Sequence, residues 1–236
     1  MSAPTKPEEV LPDEEVQNHS PWWQRFVTGS STWIGLILVG LILVFSTLEY
    51  ESFVSSSNAR NVATDAAVLL VLAVGMTFVI VTAGIDLSVG AVLVFSGVIS
   101  ARLMNEVGGN DWGTLLIGLA GALGSGLAWG TLNGFLIAKA KIPALIVTLG
   151  TLGMALGGAL LITGGVDERE VPFKLIDTIG IGRVFDQIPY LVIIAFTVAI
   201  VFGVVLAATR FGRNTYAIGS NEEAARRAAS WFEPIA

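Results

Sequence analysis

One stretch constrains this chain more than any other: residues 66 to 101 are predominantly apolar and carry a single charged side chain, Asp86. A continuous helix over that stretch would be about 54 Å long at roughly 1.5 Å per residue. The hydrocarbon core of a bilayer is only about 30 Å thick. The chain therefore has to turn inside the run, and Ala83-Gly84-Ile85-Asp86-Leu87-Ser88 is where it has the means. Gly84 suits a helix end and Asp86 suits the N-cap of a helix starting at Leu87. Two passes result, Ala66 to Gly84 and Leu87 to Ala101, the second short enough to be either a full span or a re-entrant one.

The same reasoning gives the other spans. Thr32 to Leu48, Thr114 to Ala138, Pro143 to Thr163 and Pro189 to Ala208 are each long and apolar enough to cross. The fold class is therefore an all-α integral membrane protein, a polytopic bundle of about six transmembrane helices solvated by membrane lipid. Composition agrees: 53% of the residues are hydrophobic and 14% charged, against about a quarter charged in soluble domains. Residues 1–30 read as an acidic cytoplasmic tail and interfacial segment, 31–208 as the transmembrane domain, and 209–236 as a cytoplasmic end. The tail holds Glu8, Glu9, Asp13, Glu14 and Glu15, and Trp22 and Trp23 suit the headgroup level. It lacks the basic start of a cleavable signal peptide.

Basic residues orient the chain. With the N-terminus inside, Lys6, Arg25, Lys139, Lys141, Arg210, Arg213, Arg226 and Arg227 fall on the cytoplasmic side. The smaller set, Arg60, Arg102, Arg169, Lys174 and Arg183, falls outside. Both termini are then cytoplasmic.

Chemistry is sparse. There is no cysteine, and the one histidine, His19, lies in the polar tail, so a buried hydrolase has neither base nor thiol to use. No phosphate-binding loop and no basic surface for nucleic acid occur. The sequence points to no enzyme, no metal and no cofactor held by this chain. Gly118, Ala122, Gly126, Gly130 and Gly134 recur every four residues, a small-residue seam that lets helices approach closely in lipid. Asp86 reads in two ways that the residues alone leave open, a solvated helix cap or a functional intramembrane acid. Asn133 is either a donor facing a cavity or, more ordinarily, an interhelical hydrogen bond. After the last span, Tyr216-Ala217-Ile218-Gly219 reads as a glycine turn, followed by a capped helix with Glu222 and Glu223 in its first turn and Arg226 and Arg227 later. Such a short exposed helix fits a partner's groove.

Four separated blocks resemble the ribose-type permease subunits of bacterial ABC sugar importers. They are Leu72 to Ile80, Gly84-Ile85-Asp86-Leu87-Ser88-Val89-Gly90, Leu132-Asn133-Gly134 running on to Thr151, and Tyr216 to Arg226. The resemblance implies a subunit in the bacterial plasma membrane that moves ribose or a related monosaccharide. It implies a cytoplasmic ATPase subunit that binds ATP and Mg, a second permease copy and an extracytoplasmic sugar-binding protein. It also implies that Asn221, Glu222, Glu223, Ala224, Ala225 and Arg226 couple to the ATPase, and that Gly84, Asp86, Ser88 and Asn133 border the translocation path. Residues 229 to 236 depart from the family pattern, which suggests a truncated or frameshifted chain. The alternatives are thus an inactive fragment, or a related permease for branched-chain amino acids.

Overall fold

The computed structural model describes residues 30–168, 170–221, 223–225 and 227. The acidic tail and the Trp22-Trp23 segment lie outside the described residues, as do Glu222 and Arg226. The protein is an all-α, multi-pass membrane protein. It divides into two units, residues 1–58 and 59–236.

In the first unit, α1 (Ser30–Leu48) is followed by a helical turn at Tyr50–Phe53. Phe45 and Phe53 stack with ring centroids 5.8 Å apart. The Ser55 hydroxyl accepts from the Asn58 N–H at 3.1 Å, the cap of the next helix, α2 (Ser56–Val81). The sequence predicts that helix from Ala66, where the charged residues stop. It begins at Ser56 because Ser55 supplies a cap, so the helix carries Arg60 and Asp65 as its polar first turns.

The second unit continues with α3 (Val89–Val107), α4 (Trp112–Ala138) and α5 (Ala144–Thr163). Next come a hairpin of two-residue strands, β1 (Arg183–Val184) with β2 (Ile188–Pro189), then α6 (Tyr190–Ala208) and α7 (Arg210–Ser220). The helices α2 to α6 are each long and apolar enough to cross a membrane, and Thr32–Leu48 within α1 is a shorter apolar helix. The helix α2 runs from Ser56 to Val81 where Ala66 to Gly84 was expected, and the other large difference lies in α3. That helix starts at Val89 rather than Leu87 and runs to Val107 rather than Ala101, because Gly108 in the left-handed region (φ 68°) supplies the stop and donates its N–H to Met104 O. At 19 residues it is long and apolar enough to cross a membrane.

Those two ends differ. At one, the Lys174 N–H donates to Asn110 Oδ1 at 2.7 Å, the Lys174 ammonium sits 4.9 Å over the Trp112 ring, and Arg102 pairs with Glu168 at 2.9 Å. The segment between α5 and α6 carries the hairpin there. Its turn has Phe185 and Asp186 both at positive φ, and the Gln187 N–H donates to Val184 O at 3.1 Å. At the other end lie the turn after α2, the link between α4 and α5, and α7.

The interior is built from small side chains. The helix α3 packs along both α4 and α5, burying Ala91, Ser96, Ala101, Leu115, Gly118, Thr148, Thr151, Ala155 and Ala159. In lipid this is the expected economy, since burial of large side chains between helices gains nothing over lipid contact. Most Leu and Ile side chains therefore face outward.

The seam on α4 splits in two. A β-carbon on Gly118 would meet Met104 at 2.6 Å, and one on Gly126 would lie 3.6 Å from Ser96 Oγ. Ala122 is half-buried. Gly130 and Gly134 have nothing within 4 Å, so the expectation of packing at these two is corrected. These two glycines line a cavity instead.

Candidate functional site

The site begins with how α2 ends. The Ala83 N–H donates to Ile80 O and the Gly84 N–H to Val79 O, each at 2.9 Å. This paired closure puts one residue in the left-handed region. That residue is Ala83 (φ 57°), not Gly84. The reading of Gly84 as the helix end is thus displaced by one position. Its small size still matters, since a β-carbon there would lie 3.1 Å from Val79 O and 3.2 Å from Val79 Cγ1.

Beyond it, Asp86 Oδ1 accepts from the Ser88 N–H at 2.7 Å and from the Ser88 hydroxyl at 2.6 Å. Asp86 therefore folds the turn back on itself two residues on, and Ser88 takes the N-cap position of α3. The expected cap of a helix at Leu87 is corrected accordingly. Ser88 is 0% exposed.

Asn133 reaches across from α4, its Nδ2 donating to Ser88 Oγ at 2.9 Å. The direction is forced. The single Ser88 proton goes to the carboxylate, so its oxygen is left only to accept. Asn133 is 6% exposed and its Oδ1 is buried without a partner. Gly84, Asp86, Ser88 and Asn133 are thus brought together, although Ser88 and Asn133 lie 45 residues apart.

Beside this cluster opens a cavity of about 840 Å³, lined by Asp86, Asn133, Gly130, Gly134, Lys141, Thr148 and Ile218 among others. Its wall carries one acid, one base, hydroxyls and an amide in an otherwise apolar surround. Lys141 (φ 56°) and Pro143 come from the link between α4 and α5, and Ile218 comes from α7. Among the described residues no group of three or more His, Cys, Asp or Glu is placed to hold a metal.

The helix α7 was not foreseen. Thr209 caps it, accepting from the Gly212 N–H at 3.2 Å, and Tyr216 to Gly219, expected as a turn, is helical. One face holds Gly212, Thr215 and Gly219. A β-carbon on Gly219 would overlap the Val81 carbonyl oxygen and lie 3.2 Å from Thr82 Cα. The two backbones touch there with no side chain between them. Phe211 and Phe202 each sit 6.0 Å from Phe78 of α2.

After α7 the chain breaks at Asn221, whose backbone is extended (φ −163°). Its Oδ1 accepts from the Ala224 N–H at 2.9 Å, an N-cap on the turn holding Glu223, Ala224 and Ala225. Glu223 pairs with Arg227 across one turn; such exposed pairs contribute little. Glu222 and Arg226 fall outside the described residues.

Comparison with known proteins bears on this arrangement. Residues 58–230 match the family described as the permease component of branched-chain amino acid transport systems. The chain belongs to this permease family. Its match covers every element of the cluster just described. The permease is 35% identical over 195 residues to the ribose import permease protein RbsC of Escherichia coli (strain K12), covering 81% of this chain and 58% of that protein. It is 36% identical over 203 residues to the inner membrane ABC transporter permease protein YjfF of the same organism, covering 81% and 57%. The D-allose transport system permease protein AlsC, also of that organism, is 29% identical over 225 residues, covering 95% and 65%. The permease therefore spans less than two thirds of the length of these curated relatives. No solved structure matches it.

Proposed function

We propose that this chain is a membrane-spanning permease subunit of an ABC importer for a monosaccharide, ribose or a related sugar. It resides in the bacterial plasma membrane with both termini cytoplasmic. A separate cytoplasmic ATPase subunit binds ATP and Mg and drives it, and an extracytoplasmic sugar-binding protein and a second permease copy complete the assembly. The observation that carries the reading is the meeting of three things at one end of the bundle: the Asp86–Ser88–Asn133 network, the cavity beside it, and the helix leading to the Asn221 turn. Gly84, Asp86, Ser88 and Asn133 border the translocation path, and residues 221–226 couple to the ATPase. A wall of hydroxyl, amide and charged groups in an apolar surround suits a polyhydroxylated solute. The names of the relatives, ribose and D-allose, support a sugar.

A second reading, a branched-chain amino acid, is favoured only by the family's description. Uptake separates them. Cells expressing this chain with a cognate ATPase subunit and binding protein should accumulate labelled ribose or xylose well above labelled leucine. Leucine accumulation alone would overturn the sugar reading. Glu223→Lys, which reverses charge beside the Asn221 cap, should lower co-purification of the ATPase subunit several-fold. Unchanged co-purification would remove the coupling role.

A further inference from the structure

We propose that Gly219 is the contact through which α7 displaces the turn carrying Ser88, making it a positioning residue for the cavity beside Asp86 and Asn133. The proposal rests on the permease reading and adds a mechanical route to it.

Three observations combine. The first is the nature of the contact. A β-carbon on Gly219 would overlap Val81 O and lie 3.2 Å from Thr82 Cα, so backbone meets backbone. Side chains can rotate out of the way of a moving neighbour, whereas a peptide group inside a hydrogen-bonded turn has to move with it.

The second is the stiffness of what Gly219 touches. Residues 79 to 84 are closed by Ala83 N–H to Ile80 O, Gly84 N–H to Val79 O, and the Thr82 hydroxyl to Val79 O at 2.8 Å. Two residues further on, Asp86 holds Ser88 by two hydrogen bonds and Asn133 anchors Ser88 to α4. Displacement at Val81 therefore arrives at Ser88 rather than dissipating in a loose loop.

The third is a fixed point at the other end of α7. A β-carbon on Gly212 would overlap the Leu206 carbonyl oxygen, and Thr215, between the two glycines, is 5% exposed. From Gly212 to Gly219 is two helical turns, roughly 10 Å. The helix α7 is thus held near its start and touches α2 near its end, and Ile218 beside Gly219 is part of the cavity wall. The unpartnered Asn133 Oδ1 marks the anchor as the side able to gain a bond when the turn shifts, since a buried orphan acceptor is costly to leave unmet.

Hydrogen exchange on the full chain in lipid nanodiscs tests this without requiring transport. Gly219→Val should raise exchange at the Ala83, Gly84 and Ser88 amides about tenfold, and leave Gly108 and Thr114, at the far end of the bundle, at parental rates. Asn133→Ala should raise exchange at Ser88 alone. In the coupled assembly, Gly219→Val should cut uptake about tenfold while the ATPase subunit still co-purifies. Unchanged amides at residues 83, 84 and 88 would overturn the proposal. If Gly219→Val loosens both ends equally, the smaller Gly219→Ala is read in the same way, and equal loosening of both ends there would make Gly219 merely structural and overturn it as well. A failed exchange result leaves the permease reading standing, whereas absence of uptake by the unsubstituted chain removes that reading and leaves the exchange result intact.

Discussion

Ser88 has no solvent exposure and makes three hydrogen bonds to two neighbours: its N–H and hydroxyl donate to Asp86, and its oxygen accepts from Asn133. Ser88→Ala leaves the Asn133 N–H without its acceptor in a buried place, a loss of about 1–3 kcal/mol. Thermal unfolding in detergent should register it, and a melting temperature equal to the parent's would mean the network is slack. At the opposite end, Asp111 accepts from the Thr114 N–H at 2.8 Å as the cap of α4. The Thr114 backbone, then its hydroxyl, hold the Asp111 carboxyl below its ordinary value. A depressed carboxyl contributes stability that is present above its unfolded value, about 3.9, and is lost as pH falls through the folded one. Asp111→Asn keeps a capping side chain but no titration, so its acid limb of unfolding should be flatter than the parent's. The turn at Asp86 was legible in the sequence, although its carboxylate was read as the cap of a helix at Leu87 and holds Ser88 instead. The bond across to α4 was not: nothing local tells Ser88 that its partner is Asn133, 45 residues on.

At the scale of elements, hydropathy located the crossing helices because lipid demands length and apolarity of each one separately. It failed where a cap or a contact decides. The helix α2 starts at Ser56 through Ser55, and α7 survives two glycines because those glycines are where other backbones come close. Read alone, Gly212 and Gly219 look like breakers. The small-residue seam on α4 shows the same limit, since its period was visible but its division was not. Gly118→Leu should push α3 away from α4 and cost about 1–3 kcal/mol, as overpacking does. Gly130→Leu, entering open space, should leave folding within about 0.5 kcal/mol of the parent. Size-exclusion profiles and melting temperatures in detergent would distinguish the two, and equal damage from both would contradict the split seam.

Over the whole molecule, alternating passes put the turn at 82–88, the 139–143 link and α7 at one end, and the Asn110–Lys174 contact and the hairpin at the other. The division of labour proposed here depends on that polarity: the Asp86 network and the Asn221 turn have to face the compartment that holds ATP. Because the chain contains no cysteine, single cysteines placed by substitution report without background. The most direct measurement compares Asn214→Cys on the exposed side of α7 with Phe185→Cys at the hairpin tip, 91% exposed, using a maleimide that does not cross membranes. The account predicts that Phe185→Cys is labelled in intact cells and that Asn214→Cys is labelled only after permeabilisation. The reverse pattern would contradict it, because no cytoplasmic ATPase subunit would then reach α7 or the turn beyond it.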